Sequence, residues 1–313
     1  MEKAQQIMRE VAKALVGKDE IIRKVTMCVL CKGHILLEDI PGVGKTTLAI
    51  AFSRALSLDY SRVQFTPDVL PSDITGFTIY NKETGKMQYQ KGAIICNLFL
   101  ADEINRATSR TQAALLEAME EMQVTVDGVS HKIPAPFTVI ATQNPVGAHG
   151  TQLLPDSQMD RFMVRLSIGY PDFKSEFTIL KENRGMASIN EVESVTDSEG
   201  LIEMQNQVSS IYVNDEVFEY IVRLSDATRN HDTILQGASP RASIAVTKMS
   251  RAAAYLDGRD YVIPQDVKTV FSDVIKHRLI LSPKAKMLDQ NADKIVSDIL
   301  EKTKEPKIGK SVS

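Results

Sequence analysis

One segment near the amino terminus restricts the fold more than any other part of the sequence. Residues Ile35 to Leu48 read ILLEDIPGVGKTTL, which is an apolar run, a loop with two glycines and the start of a helical pattern. A loop between a strand and a helix can present backbone N–H groups and a helix N-terminus to one anion. The segment therefore predicts a phosphate-binding loop in an α/β sheet.

The residues of this loop have separable roles. We expect Gly42 and Gly44 to let the backbone curl around a phosphate, while Lys45 reaches the β- and γ-phosphates. The Thr46 hydroxyl would bind Mg²⁺. The predicted nucleotide-binding residues of the loop are Pro41, Gly42, Val43, Gly44, Lys45, Thr46 and Thr47. The alternative is a Gly-Lys-Thr turn that binds no nucleotide.

The loop departs from the full phosphate-binding pattern at one position. The pattern has glycine where this chain has Asp39. Aspartate tolerates unusual turn conformations better than most residues, so the turn can survive. A carboxylate close to a triphosphate is unfavourable, and we therefore expect the Asp39 side chain to point away from the phosphates.

A second apolar run ends in two adjacent carboxylates. Leu98 to Ala101 precede Asp102 and Glu103, and the carboxyl end of a strand is where an open α/β sheet binds its ligand. Asp102 would hold Mg²⁺, and Glu103 would polarise the water that attacks the γ-phosphate. An Asp-Glu pair can also be a solvated helix start, but the phosphate-binding loop upstream favours the catalytic interpretation.

The pattern of apolar residues predicts two units. Short β-branched runs alternate with helical patterns through the first ~170 residues, which is typical of a parallel sheet with crossover helices. The predicted strands are His34 to Leu37, Arg62 to Phe65, Ile94 to Ala101, Phe137 to Thr142 and Met163 to Ile168. Beyond Ile168 the periodicity is helical, so we expect an α/β domain over residues 1–180 and an all-α domain over 181–313 with a short basic tail.

Two hairpins interrupt the first unit. Asp127-Gly128 lies between alternating apolar residues, and both turn residues tolerate positive φ. A longer hairpin is expected from Phe77 to Tyr89, with its turn near Gly85. Neither hairpin is needed to connect a strand to a helix, so they are either functional insertions or surface decoration.

Composition excludes several classes of protein. The net charge of −3 argues against nonspecific nucleic-acid binding, and the longest apolar stretch, Ile94 to Ala101, has eight residues. A bilayer-spanning helix needs about 20. Residues Met1 to Gln6 do not resemble a signal peptide, and three cysteines fit a reducing compartment. We expect a cytoplasmic protein without membrane insertion.

These motifs together resemble the MoxR family of AAA+ ATPases over nearly the whole chain. The segments that carry the resemblance are Val16-Gly17, Pro41 to Thr46, Asp102 to Ala107, Ala141 to Pro145, Leu154 to Phe162 and Gly237 to Arg241. The resemblance implies a P-loop NTPase core with a parallel sheet, a C-terminal all-α lid, and hydrolysis of ATP with Mg²⁺. It also implies a homo-oligomeric ring, with six subunits expected, and an acid at position 39 is familiar in the family.

Further site residues are implied by the resemblance. Val16 and Gly17 would contact the nucleotide. Asn144 is similar to the sensor-1 residue, whose amide contacts the γ-phosphate and the attacking water, although a turn before a proline also explains it. Arg161 is similar to the arginine finger that acts on a neighbouring subunit. The alternative for Arg161 is a salt bridge with Asp156 or Asp160. Arg106 is a further candidate as a relay between subunits.

Arg241 resembles the sensor-2 residue and has an independent physical peculiarity. Ser239 is a good N-cap and Pro240 suits the first helical position, so Arg241 falls in the first turn of a helix. The helix dipole disfavours a cation there, and we expect an anion nearby. Whether Arg241 meets the nucleotide of its own subunit or of the next one stays open.

The leading interpretation is an ATP-hydrolysing chaperone or remodeller that acts as a ring. Members of the resembled family often serve partners with von Willebrand A domains in protein maturation or metal-cofactor insertion. The two hairpins fall where such proteins carry insertions that face the pore or a partner. One alternative is a nucleic-acid motor or transcription activator, which the charge disfavours. Another is a nonhydrolytic nucleotide-gated scaffold, which Lys45, Asp102 and Glu103 disfavour.

Overall fold

The computed structural model describes residues 1–144, 154–181 and 186–306 of the chain. Within these residues, five parallel strands form one sheet in the order β2-β5-β8-β1-β9. The strands are β1 (Ile35–Glu38), β2 (Tyr60–Gln64), β5 (Leu98–Asp102), β8 (Thr138–Gln143) and β9 (Val164–Leu166). All five predicted strands are present, but the third begins at Leu98 instead of Ile94 and the fifth ends at Leu166 instead of Ile168.

The two faces of the sheet are covered by different parts of the chain. Successive residues of a strand point to opposite faces, and in β1 Ile35 and Leu37 pack into one buried cluster while Leu36 packs into another. The first cluster contains the amino-terminal helices and the C-terminal helices. The second contains the helix that follows Glu103 and the bases of both hairpins. Residues of β1, β5 and β8 contribute to both clusters. Because these strands are parallel, their carboxyl ends lie along one side of the sheet, which we call its carboxyl edge.

Helices cover the sheet and form the second unit. Those of the first part are α1 (Glu2–Ala14), α2 (Asp19–Leu30), α3 (Lys45–Ala55), α4 (Pro71–Thr75), α5 (Ser109–Glu121), α6 (Asp156–Met159) and α7 (Phe173–Lys181). Those of the second part are α8 (Ser198–Ser210), α9 (Asp215–Arg229), α10 (Pro240–Leu256), α11 (Pro264–Ile275), α12 (Pro283–Met287) and α13 (Ala292–Lys302). Short 3₁₀ turns lie at Ile104–Arg106, Met186–Glu191 and Lys276–Arg278. None of the helices in the described ranges has the length and apolar character needed to cross a bilayer.

Both predicted hairpins are confirmed. Strands β3 (Gly76–Asn81) and β4 (Lys86–Lys91) pair antiparallel, as do β6 (Gln123–Val126) and β7 (Val129–Lys132). Asp127 and Gly128 have φ of 50° and 79°, as a tight two-residue turn requires. The hairpins touch each other through Tyr89 and His131, whose rings stack with centroids 3.7 Å apart.

The second unit is helical, as predicted, with one addition. The short strands β10 (Ile234–Gln236) and β11 (Ile280–Leu281) pair antiparallel between helices. Neither strand has the length or alternation that predicts a strand from sequence. The basic tail is described only as far as residue 306, so Lys307 and Lys310 lie outside the described residues.

Candidate nucleotide-binding site

The glycine loop joins β1 to α3 at the carboxyl edge of the sheet. Gly42 and Gly44 have φ of 86° and 97°, a left-handed conformation that favours glycine, and α3 begins at Lys45 directly after Gly44. The loop opens into a cavity of about 300 Å³. The residues that line this phosphate-side cavity are Pro41, Gly42, Gly44, Lys45, Thr46, Thr47, Gln64, Asp102 and Glu103. The fold therefore brings the predicted loop and the two carboxylates to one cavity.

Lys45 folds back onto its own loop. Its Nζ donates to the backbone carbonyl of Asp39 at 2.7 Å and to that of Ile40 at 3.2 Å. Burial lowers the pKa of Lys45, and the charges of Asp39, Asp102 and Glu103 oppose that effect. The ammonium group is thus held at the cavity wall by neutral acceptors, which a charged phosphate oxygen can replace.

The Asp39 carboxylate points away from the phosphate-side cavity, as predicted. It accepts hydrogen bonds from Ser167 Oγ at 2.9 Å, from the Ile168 backbone N–H at 2.5 Å and from the Gly169 backbone N–H at 3.2 Å. These residues follow β9, the strand next to β1. The acid that replaces the usual glycine therefore contacts the segment leading out of the sheet.

The end of β5 separates the two carboxylates. Asp102 is buried, and its Oδ1 accepts from Thr142 Oγ1 at 2.7 Å while its Oδ2 accepts from Arg62 at 2.7 Å. Glu103 has a φ of 57°, and its backbone N–H donates to Thr142 Oγ1 at 2.9 Å. Asp102 is thus the last residue of the strand, and Glu103 is the left-handed residue that precedes the 3₁₀ turn. Sequence reasoning missed both Arg62 and Thr142, because each reaches Asp102 only through strand pairing.

Arg106 contacts the Glu103 of its own chain. Its Nη1 lies 2.8 Å from Glu103 Oε2, three residues back along the 3₁₀ turn. The pair is partly exposed, with 47% of the Arg106 side chain and 23% of the Glu103 side chain accessible. An exposed ion pair of this kind is weak and can be exchanged for another contact.

Asn144 lies at the same edge of the sheet. It follows β8, which pairs with β5 on one side and β1 on the other, so it lies between the carboxylates and the glycine loop. Its backbone carbonyl accepts from Asn105 Nδ2 at 3.3 Å. The Oδ1 of Asn105 is buried and has no hydrogen-bond partner in the described parts of the chain. Pro145 lies outside the described residues.

A second cavity, of about 250 Å³, lies on the other side of the glycine loop. It is lined by Ala14, Leu15, Val16, Lys18, Gly42, Val43, Gly44, Thr47, Pro171 and Ile179. Its walls are mostly apolar, which suits a flat aromatic base. Sequence reasoning found Val16 but missed Pro171 and Ile179, which come from a distant part of the chain.

Gly17 has a steric role beside this base-side cavity. It has a φ of 71°, and a Cβ at this position would lie 2.0 Å from Oγ of Ser175 in α7. Gly17 therefore lets α7 approach the amino-terminal segment and is not among the residues that line the base-side cavity. Its predicted nucleotide contact stays a prediction.

Arg161 and Arg241 meet at one carboxylate. Arg161 Nε donates to Glu120 Oε2 at 3.0 Å, and Arg241 Nη2 donates to Glu120 Oε1 at 2.6 Å. The hydrogen bond from Arg241 lowers the pKa of Glu120 against the effect of partial burial, and the charge of Arg161 lowers it further. Glu120 is the anion expected beside the first turn of α10, where Ser239 caps the helix through the Ala242 backbone N–H.

The two arginines lie apart from the glycine loop of their own chain. They line a third cavity, of about 160 Å³, between the sheet unit and the lid, and neither lines the phosphate-side cavity. Asp160, one proposed partner of Arg161, instead accepts from Arg278 Nε at 2.6 Å. The side chain of the other, Asp156, lies outside the described residues. Arg161 forms a salt bridge with Glu120, and its expected pairing with Asp156 stays a prediction.

Comparisons with known proteins agree with this architecture. A family model described as "ATPase family associated with various cellular activities (AAA)" matches residues 34–164, and one described as "AAA lid domain" matches residues 226–299. The chain is 44% identical over 299 residues to the uncharacterized protein YeaC of Bacillus subtilis, covering 96% of this chain and 93% of the relative.

Other relatives carry more specific names. The chain is 38% identical over 300 residues to Chaperone MoxR1 of Mycobacterium tuberculosis, covering 93% of this chain and 78% of the relative. It is 31% identical to Protein MoxR of Methylorubrum extorquens, over 93% of this chain and 91% of that protein. A crystal structure from Cytophaga hutchinsonii of a protein assigned as an ATPase superposes with a TM-score of 0.91 at 36% identity, covering 98% of this chain and 96% of the other.

The parallel sheet, the glycine loop at its carboxyl edge and the helical lid define a P-loop protein of the AAA+ class. Sequence identity above 30% to Chaperone MoxR1 and to Protein MoxR, over most of the chain, identifies the family within this class. The chain belongs to the MoxR family of AAA+ ATPases.

Proposed function

We propose that the chain binds ATP with Mg²⁺ and hydrolyses it to ADP and phosphate. The observation that supports this is the meeting of the two cavities at the glycine loop, one apolar and one lined by Lys45, Thr46, Asp102 and Glu103. The apolar, base-side cavity fits a base, and the phosphate-side cavity fits a triphosphate. The Thr46 hydroxyl and the Asp102 carboxylate are hard oxygen donors of the kind that Mg²⁺ prefers. When bound, Mg²⁺ would supply charge neutralisation at the phosphates.

Three residues of the chain have separate roles in this hydrolysis. Lys45 exchanges its two carbonyl acceptors for phosphate oxygens, which are stronger acceptors because they are charged. Glu103 orients and polarises the attacking water after it exchanges its contact with Arg106. Asn144, at the end of β8, donates an amide hydrogen bond beside the γ-phosphate.

Arg161 and Arg241 act on the nucleotide of a neighbouring subunit in this proposal. Both contact Glu120 in a cavity separate from their own phosphate-side cavity. A guanidinium group that stabilises a transferring phosphoryl group from outside the subunit requires a homo-oligomer, and the family favours a hexameric ring. The triphosphate would then compete with Glu120 for both arginines.

A Glu103→Gln variant tests the assignment of the water-polarising residue. We expect it to retain ATP binding, because the P-loop is unchanged, and to hydrolyse ATP about 10²-fold more slowly or worse. The matched control is Glu301→Gln, an exposed glutamate on α13. Turnover equal to that of the control would remove Glu103 from its role.

Mixed rings test the action between subunits. Arg161→Ala and Lys45→Ala subunits should each be inactive alone, since one lacks the finger and the other lacks the loop lysine. In a mixture, an intact P-loop of the first can face an intact Arg161 of the second, and turnover should partly recover. If no mixing ratio restores activity, Arg161 acts within its own subunit.

We further propose that ATP hydrolysis drives a chaperone or remodelling activity on a partner protein. The support is the exposed apolar surface of the β3-β4 hairpin, where 61% of Tyr80 and 65% of Met87 are accessible. Tyr80 and Met87 lie directly opposite each other in the hairpin, so their side chains are on one face, and contiguous exposed apolar surface marks interaction sites. A partner with a von Willebrand A domain, in protein maturation or metal-cofactor insertion, is the family expectation. Tyr80→Ser should reduce partner-stimulated turnover and spare basal turnover.

The remaining proposals concern organisation. We propose that the chain divides into residues 1–180 and 181–313, because the last sheet strand ends at Leu166 and the lid model begins at 226. A cytoplasmic location is supported by Cys28, Cys31 and Cys96, which are buried free thiols. Limited proteolysis with mass mapping would test the first point.

A further inference from the structure

The segment that leaves the sheet toward α7 is held from two sides. We call this segment, Ser167 to Tyr170, the connector. It follows β9, and the next residue, Pro171, lines the base-side cavity. Ile168 is buried, and Gly169 has a φ of 65°. The connector therefore changes chain direction at a fixed place, directly beside the cavity.

One set of contacts to the connector comes from the glycine loop. The Asp39 carboxylate, itself buried, accepts from Ser167 Oγ and from two consecutive backbone N–H groups, those of Ile168 and Gly169. Hydrogen bonds to a carboxylate are about twice as strong as those between neutral groups. Asp39 thus satisfies the N–H groups of the connector with one side chain.

The other set comes from the segment after α1. The Nζ of Lys18 donates to three consecutive backbone carbonyls, those of Ile168 at 2.7 Å, Gly169 at 3.0 Å and Tyr170 at 2.8 Å. An ammonium group has three N–H donors, so these contacts use its full capacity. Asp39 therefore binds the N–H groups and Lys18 the carbonyl groups of the same two residues, Ile168 and Gly169.

The connector sets the position of the far wall of the base-side cavity. Pro171 comes directly after it, and Ile179 lies on α7, whose Ser175 packs against Gly17. The near wall is formed by Val16, by Lys18 and by the glycine loop, and methionine at position 18 would keep most of the side-chain length. The distance between the two walls thus depends on how the connector is tied to residues 18 and 39.

We propose that Asp39 and Lys18 are positioning residues that hold the connector so that Pro171 and Ile179 stay in place against the adenine base of ATP. This inference rests on the proposed function and assigns the acid at position 39 a role in base binding. Neither side chain touches phosphate in this role. Loss of either side chain therefore weakens binding of the base and leaves binding of the phosphates unchanged.

The competing explanation is that Asp39 only shapes the glycine loop. The two explanations differ in which part of the ligand loses affinity. A misshapen loop weakens every ligand with phosphates, whereas a displaced cavity wall weakens only ligands that carry a base. Tripolyphosphate with Mg²⁺ has the phosphates without the base, so it separates the two cases.

The experiment uses Asp39→Asn and Lys18→Met in the full chain. Asparagine keeps the size of aspartate, but it presents an NH₂ group to one of the N–H donors and carries no charge. We expect each variant to bind ATP about tenfold more weakly by calorimetry, as loss of charge-assisted hydrogen bonds implies. Inhibition by tripolyphosphate should change less than about twofold, since the loop contacts persist.

Steady-state kinetics give a second readout. The KM for ATP should rise about tenfold while kcat stays within about twofold, because saturating ATP restores occupancy of an intact catalytic arrangement. Ser167→Ala is the matched control, because it removes one of the three hydrogen bonds to Asp39 and keeps the two from backbone N–H groups. Its ATP affinity should fall by less than about threefold.

Several results would overturn the proposal. They are an unchanged ATP affinity in both variants, equal losses for ATP and tripolyphosphate, or a fall in kcat at unchanged KM. If Asp39→Asn does not fold, as judged by circular dichroism, Lys18→Met decides, because it loosens the connector from the opposite side. A wild-type chain that binds no ATP would instead refute the proposed function itself.

Discussion

Arg278 offers a sharp test of how the lid is attached to the segment from Asp160 to Met163, which contains Arg161. Only 4% of its side chain is exposed, and its Nε donates to Asp160 Oδ1 at 2.6 Å. Its Nη2 donates to the Phe162 carbonyl at 2.7 Å and its Nη1 to the Met163 carbonyl at 3.2 Å. The lid residue therefore holds both ends of the segment around Arg161.

The cost of Arg278→Gln follows from these contacts. Breaking a buried ion pair costs about 3–5 kcal/mol, because the remaining charge stays buried without a partner. The Asp160 side chain is 24% exposed, so water can reach it, and the lower end of the range applies. We therefore expect the free energy of unfolding to fall by about 3 kcal/mol, which is more than a hundredfold in the equilibrium constant.

The measurement is urea-induced unfolding followed by circular dichroism. One buried apolar cluster runs from α1 in the sheet unit to α13 in the lid, so we expect core and lid to unfold together. Arg23→Gln is the matched control, because Arg23 also joins the two units, to Asp257, but with 32% and 44% of the side chains exposed.

The control should lose less than about 1 kcal/mol, as exposed ion pairs do. A loss for Arg278→Gln no larger than that of the control would refute the reasoning, since it would mean that the buried contacts add nothing. The same variant should lower turnover in the assembled protein, because Arg161 would no longer be held.

Three further predictions follow from single contacts. Glu120→Gln should raise turnover about two- to fivefold at half-saturating ATP, because the exposed ion pairs of Glu120 with Arg161 and Arg241 are worth roughly 0.5–1 kcal/mol. Reduced turnover would mean that Glu120 orients the two arginines. Burial lowers the pKa of His34 to about 4, so its contribution to stability is full above about pH 6.5 and is lost as the pH falls toward 4. Between pH 7 and pH 5, the free energy of unfolding in urea should fall by about 2 kcal/mol more for the wild type than for a His34→Gln variant. Equal decreases in the two proteins would contradict this. Gly17→Ala should cost about 1–3 kcal/mol and weaken ATP binding, because its φ is positive and its Cβ would overlap Ser175; calorimetry showing wild-type affinity would argue against it.

Local patterns were enough to predict the parts of the site that are built from consecutive residues. The glycine loop, the strand that ends in Asp102 and Glu103, the five sheet strands and the Asp127-Gly128 turn all depend on alternation, spacing and turn preference over a few residues. The sheet edge then follows, because parallel strands end on the same side. The direction of the Asp39 carboxylate was also predictable, since a negative charge avoids phosphate.

Contacts between distant parts of the chain were decided by the tertiary structure. No local pattern predicts that Arg161 and Arg241 share Glu120, that Arg62 and Thr142 hold Asp102, or that Lys18 binds three carbonyls after β9. The physical reason is that a hydrogen bond or cavity wall forms wherever packing brings two groups together, whatever their separation along the chain. Alternation and turn preferences act only between near neighbours, and they carry no information on which distant side chain arrives opposite.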